Sequence, residues 1–125
     1  MTALFVFLGA GVGGVARYGV GRWLAPVSAG FPWGTLAVNV TGSLLIGALA
    51  AAIQLRGLSQ NWQMFLTVGL CGGYTTFSAF SAETLTMLQS GHGGRAALYL
   101  VASVAGCVLA VLGGMRFGAA LLARG

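Results

Sequence analysis

Charge is almost absent from this chain, and where it occurs it marks the ends of long apolar runs. Apart from the chain ends, it is confined to Arg17, Arg22, Arg56, Glu83, Arg95, Arg116 and Arg124. The uncharged stretches between them can each hold a helical span of about 20 residues, the length that crosses about 30 Å of hydrocarbon. Only 6% of the 125 residues are charged and 58% are hydrophobic, against roughly 25% charge in soluble domains. A water-soluble fold is excluded, and the chain belongs in a bilayer.

Four spans fit, at Ala3 to Trp23, Trp33 to Gln54, Trp62 to Gln89 and Ala96 to roughly Leu121. The expected fold is therefore an all-α integral membrane protein forming one four-helix domain over residues 1–125. Pro26, Gly30 and Pro32 punctuate the first gap, Arg56 to Asn61 fills the second and Ser90 to Arg95 the third. Trp23, Trp33 and Trp62 stand beside span ends, where an amphipathic indole prefers the headgroup layer. The first segment lacks a basic start and a clear cleavage site, so it reads as a retained helix. The pI of about 10.3 comes from arginines scattered singly at span ends. They form no patch that could track nucleic-acid phosphates and look like snorkelling anchors. Cys71 and Cys107 fall inside spans and are expected as free thiols.

With four spans, Arg56, Arg116 and Arg124 fall on one side and Arg17, Arg22 and Arg95 on the other. Orientation follows the arginine and lysine excess, so a tie permits insertion both ways up unless Arg116 lies too deep to count. Four short helices barely enclose a hydrated path, which makes a pore between two copies the economical arrangement. Gly9/Gly13, Gly69/Gly73 and Gly114/Gly118 have spacings that permit close helix contact.

Polar residues in the spans are patterned. Thr35, Asn39 and Ser43 recur every four residues and align as one stripe, as do Tyr99, Ser103 and Cys107. Asn39 is either glue between helices or part of a conduction path. The third span carries "GLCGGYTTFSAF" at Gly69 to Phe80. Gly72 and Gly73 followed by Tyr74, Thr75 and Thr76 predict a helix broken near mid-membrane. Backbone groups freed there require protein, water or an ion, and unwound carbonyls can cage a cation. Phe77 and Phe80 share a face. Such rings commonly pack a core, yet electropositive ring edges can also attract an anion that a buried arginine would trap. Glu83 is the only acid. It is a proton carrier or an interfacial carboxylate paired with an arginine near a vestibule, and its off-centre position favours the second. His92 lies in a glycine-rich loop without partners for a metal. No nucleophile–base pair, phosphate loop or ligand cluster is present, so the chain is not expected to be an enzyme.

These motifs resemble the bacterial fluoride channels called Fluc or CrcB. "GGVARY" at Gly13 to Tyr18, "GTLAVNVTGSLLIG" at Gly34 to Gly47 and "GLCGGYTTFSAFSAE" at Gly69 to Glu83 carry the resemblance. It covers nearly the whole chain. It implies an antiparallel dual-topology homodimer, multi-pass in the bacterial plasma (inner) membrane, with two fluoride pores, and passive export of toxic cytoplasmic fluoride. It further implies a structural sodium ion at the dimer centre, on the backbone carbonyls of Gly72 and Thr75. Phe77 and Phe80 would be the pore phenylalanines, Asn39 the amide donor, Thr35 and Ser103 part of a polar track and Tyr99 a closing group. Arg17 or Arg22 would shape the entrance, and Glu83 matches the acid after the box. Ala79 departs from a usual threonine and Cys107 from a common hydroxyl, which leaves conductance and hydration open. The rival is a proton-coupled small multidrug exporter, also a short dual-topology dimer, but its essential first-span carboxylate has no counterpart here. A non-transporting assembly protein, with stripes as mere glue, is the third alternative.

Overall fold

The computed structural model describes residues 1–125 and contains helices and connectors only. Helix α1 runs over Thr2–Leu24, passes into a short 3₁₀ turn at Ala25–Val27 with Pro26 near its start, and is followed by a connector to Pro32. Helix α2 spans Trp33–Arg56 and stops at Gly57, whose φ of 71° is a left-handed conformation that side-chain-bearing residues avoid. Next come α3 at Gln60–Met64, a wider π-helical stretch at Phe65–Cys71 and α4 at Gly72–Tyr74. After two extended residues, α5 occupies Phe77–Gln89 and α6 Gly93–Ala123.

Three of these segments, Thr2–Val27, Trp33–Arg56 and Gly93–Ala123, are long and apolar enough to cross a membrane. The region expected as a third span is divided instead. Its second piece, α5, has 13 residues, too few to cross about 30 Å alone. The sequence anticipates this break but not the π-helical stretch before it. It also sets the third connector too long, because α6 already begins at Gly93 and takes Arg95 into its first turn, with His92 as the flanking residue.

Packing relies on close backbone approach. Gly9 and Gly13 of α1 lie against Gly69 and Gly73, so two of the small-residue pairs face each other: the Gly9 Cα is 2.9 Å from where a Gly69 Cβ would sit. A methyl group on Gly13 would strike the Leu70 carbonyl and come within 2.8 Å of the Tyr74 nitrogen. The third pair serves α2 and α6, where Gly114 lies under the Leu44 carbonyl and Gly47 under that of Val111. Without a hydrophobic drive between helices in lipid, such contact supplies the van der Waals attraction that holds spans together.

Only 15 of 125 residues are buried, while large apolar side chains such as Phe7, Val15, Val101, Val108 and Leu109 face outward. An apolar exterior on this scale is the signature of a lipid-facing surface rather than of a soluble one. The protein is a multi-pass membrane protein.

Candidate functional site

The site is built where the third region loses its helix. Glycine is among the poorest helix formers and β-branched threonine loses side-chain freedom in a helix, so Gly72-Gly73-Tyr74-Thr75-Thr76 is a weak point. Thr75 has φ −86° and ψ 159°, and Thr76 φ −151° and ψ 113°. Both are extended; the Thr75 N–H still reaches the Cys71 carbonyl at 3.0 Å, and the helical hydrogen-bond ladder lapses at Thr76.

Side chains replace it. Asn39 Oδ1 accepts from the Thr76 backbone N–H at 2.8 Å, while Asn39 Nδ2 donates to the Thr76 carbonyl at 3.1 Å. The carboxamide thus pairs with one extended residue as a neighbouring strand would. Of the two alternatives for Asn39, these bonds make it glue, and it also borders an open groove. One Nδ2 hydrogen remains available beyond the bond to Thr76. Thr76 Oγ1 accepts from the Ala79 N–H at 3.2 Å and caps α5. Thr75 Oγ1 donates to the Cys71 carbonyl at 2.9 Å. Thr41 Oγ1 donates to the Ala37 carbonyl at 2.7 Å, so in its 2.8 Å bond with Tyr74 the phenol is the donor.

Arg17, expected at an entrance, reaches the break itself, donating from Nε to the Gly73 carbonyl at 3.1 Å. Positive charge at the C-terminal end of α4 is favourably placed. Arg22 stays exposed in the last turn of α1. The Gly72 and Thr75 carbonyls accept none of the turn, loop or cap bonds of the chain. The side-chain donors at the break go to the neighbouring Gly73 and Thr76 carbonyls, so these two can serve as oxygen ligands.

A second cluster gathers three helices around Glu83. Thr35 Oγ1 of α2 donates to Glu83 Oε1 at 2.7 Å, and the Tyr99 phenol of α6 donates to Oε2 at 2.6 Å. The sequence suggests an arginine partner for this acid; the structure supplies two hydroxyls. A carboxylate with two donors keeps its charge stabilised without an ion pair.

Beside the break lies an open groove of about 430 Å³, bordered by Asn39, Ser43, Thr75, Thr76, Phe77, Phe80, Ser103 and Cys107. Asn39 and Ser43 of one polar stripe and Ser103 and Cys107 of the other therefore face one space, while Thr35 and Tyr99 meet on Glu83 instead. Phe77 and Phe80 have ring centroids 5.6 Å apart at 49°, and Phe80 continues to Tyr99 at 5.0 Å. Phe80 is 7% exposed and Phe77 80%, so one ring is held by the fold and the other stands bare at the groove's open side. Ser103 Oγ is buried and has no hydrogen-bond partner. It does not bond back to its own helix, unlike Thr84, which donates to the Phe80 carbonyl at 2.8 Å. A buried donor without an acceptor costs about 1–3 kcal/mol, so this hydroxyl fits a site that something else completes.

Sequence reasoning missed the Thr41–Tyr74 bond, the Thr76 cap and the Arg17 contact. Only the cap had a local signal, since threonine before a new apolar run is a common helix start.

The architecture and site define a class: a helical membrane protein whose broken segment borders a polar, aromatic-edged groove. Comparison with known proteins narrows this. The family profile described as "CrcB-like protein, Camphor Resistance (CrcB)" matches residues 4–115. The chain is 48% identical over 118 residues to a "Fluoride-specific ion channel FluC" of Nitrobacter winogradskyi, covering 90% of this chain and 91% of the relative. A protein of the same name from Thermus thermophilus is 49% identical over 122 residues, covering 95% and 94%. Another from Coxiella burnetii is 47% identical over 121 residues, covering 94% and 98%. The chain belongs to the CrcB family of fluoride-channel proteins.

Proposed function

We propose that this protein is a passive, fluoride-selective channel. The observation that carries the reading is the unpartnered, buried hydroxyl of Ser103, facing the groove that Asn39, Phe77 and Phe80 also border. Fluoride is small and strongly hydrated, and stripping an ion of water costs tens of kcal/mol unless other groups replace that water. The Ser103 hydroxyl, the spare Asn39 N–H and the positive edges of two rings offer that replacement in modest portions. No fixed positive charge holds the ion, so it can leave as it came. Beyond Phe80, the hydroxyls of Tyr99 and Thr35 continue the polar line. Both already serve Glu83, so an anion passing there competes with the carboxylate for them. Glu83 thereby sets how far the track conducts, and Tyr99 closes it while bonded.

The working unit is an antiparallel homodimer of oppositely inserted copies. The bare Phe77 ring and the open groove in one copy support this, since a second copy supplies the missing wall. The region from Gln60 to Gln89 crosses as a broken third span of four, with its interruption near mid-membrane. A sodium ion at the dimer centre would fit the Gly72 and Thr75 carbonyls, because hard cations favour oxygen ligands and the side chains at the break serve the neighbouring Gly73 and Thr76 carbonyls. When bound, it would supply positive charge beside the unwound backbone. Asn39, Arg17 and Thr76 hold that backbone from each chain's own side. The setting is a bacterial inner membrane, where the channel lets accumulated cytoplasmic fluoride run out down its gradient. The exporter alternative is not favoured, for α1 contains no acid and Glu83 is held by hydroxyls.

The test is purified protein in liposomes loaded with fluoride. The expected result is electrogenic efflux that an imposed proton gradient does not alter. Efflux driven by the proton gradient, or none at all, would reject the proposal.

A further inference from the structure

The stripe formed by Tyr99, Ser103 and Cys107 has one more member. Arg95 stands four residues before Tyr99 on α6, and because the helix already starts at Gly93 its side chain leaves from the same face. The structure adds a cavity of about 400 Å³ at that end, between the α1–α2 connector and the start of α6, bordered by Gly30, Phe31, Trp33 and Arg95. Phe31 stands between this space and Tyr99. Its ring meets Tyr99 edge-on, with centroids 5.4 Å apart at 77°, and Tyr99 in turn donates to Glu83. Trp33 backs Phe31 at 4.7 Å. Arg95 is exposed and makes one bond, from Nη1 to the Gly30 carbonyl at 3.4 Å, and no carboxylate neutralises it.

We infer that this cavity is a mouth of the anion track, where Arg95 gathers small anions from solution and Phe31 separates them from the Tyr99 gate. The inference rests on the channel reading and adds to it the place where an anion enters or leaves. An exposed arginine suits this task better than a buried one. Its attraction is screened within about 10 Å at 0.1 M salt, so it raises local anion concentration without binding an ion tightly. The mouth also gives a role to a residue that the topology count treats only as an anchor.

The experiment compares initial fluoride efflux from liposomes for the parent protein, Arg95→Lys and Arg95→Glu, with ionic strength set by an impermeant organic salt. Charge reversal is expected to slow efflux about fivefold at low ionic strength, where steering effects are largest. The deficit should close to within about 1.5-fold near 1 M, where the screening length is about 3 Å, and Arg95→Lys should follow the parent throughout. A charge-reversed protein that matches the parent at low salt overturns the proposal. So does a deficit that salt leaves unchanged, which would mark a structural role. A parent that passes no fluoride sinks the channel reading and this mouth with it, whereas a conducting parent with an indifferent Arg95→Glu removes the mouth alone.

Discussion

The α2–α6 pair and the broken segment from Gly72 to Gln89 solve the same problem in opposite ways. In lipid, every backbone N–H and C=O needs a partner. The first pair meets this need with unbroken helical ladders, and its side of the contact is glycine against carbonyl, with Gly114 under Leu44 and Gly47 under Val111. The second keeps its ladder through the Thr75 N–H, loses it at Thr76 and takes partners from elsewhere: Asn39, the Thr76 hydroxyl and Arg17. The difference shows how a short hydrophobic chain acquires chemistry. A self-satisfied helix offers its surroundings only side chains, whereas a broken one must recruit polar groups, and those groups then stand together beside a groove.

The largest effect should come from the self-satisfied region. Gly114→Leu drives a side chain into the Leu44 carbonyl. The α2–α6 contact has no slack, so over-packing well above the usual cost of about 1–3 kcal/mol is expected. The outcome is loss of monodisperse protein on size-exclusion chromatography. In the broken region, substitutions should instead spare assembly and alter transport. Phe80→Ile keeps an apolar, somewhat smaller side chain but removes the ring edge between Phe77 and Tyr99, and fluoride flux should vanish while the protein stays monodisperse on size-exclusion chromatography. Retained flux would take Phe80 out of the path.

Asn39→Asp places a carboxylate opposite the Thr76 carbonyl that the amide now serves. Leaving a buried polar group unpaired costs about 1–3 kcal/mol, and negative charge in the path adds repulsion, so flux should fall about tenfold or more. Normal throughput would return Asn39 to a purely structural role. Ser103→Ala removes an unpartnered hydroxyl. It should leave thermal stability unchanged or slightly raised, because no bond within the chain is lost, and lower flux by about fivefold to tenfold, equivalent to roughly 1–1.4 kcal/mol. A variant that loses stability yet conducts normally would mean the hydroxyl serves the fold. Smallest of all, Thr41→Val deletes the acceptor of the Tyr74 phenol at an exposed edge. A loss of about 1 kcal/mol in stability, typical of one hydrogen bond, with flux within about twofold, is expected.

Much of this contrast is legible in the sequence, and the part that is not has a physical reason. Local rules suffice for the break, because glycine and β-branched threonine act on their own backbone. Periodicity suffices for the Thr35/Asn39/Ser43 and Tyr99/Ser103/Cys107 stripes, since four-residue spacing fixes a face. What periodicity cannot fix is how one helix is rotated against the next. The pairing of Asn39 with Thr76, the meeting of Thr35 and Tyr99 on Glu83 and the reach of Arg17 to Gly73 all depend on that rotation. Glu83 illustrates the limit. Its neighbours along the chain contain no hint of two hydroxyl donors, and a search for an opposite charge leads to arginines that the fold places elsewhere.

The central claim is that neutral donors beside the break select a small anion without binding it tightly. Side-by-side fluoride and chloride efflux from the same reconstituted vesicles tests it most directly. Rapid fluoride release with chloride retained at least a hundredfold more slowly, about 2.7 kcal/mol of discrimination, is the expected result. Comparable release of both halides would contradict the account.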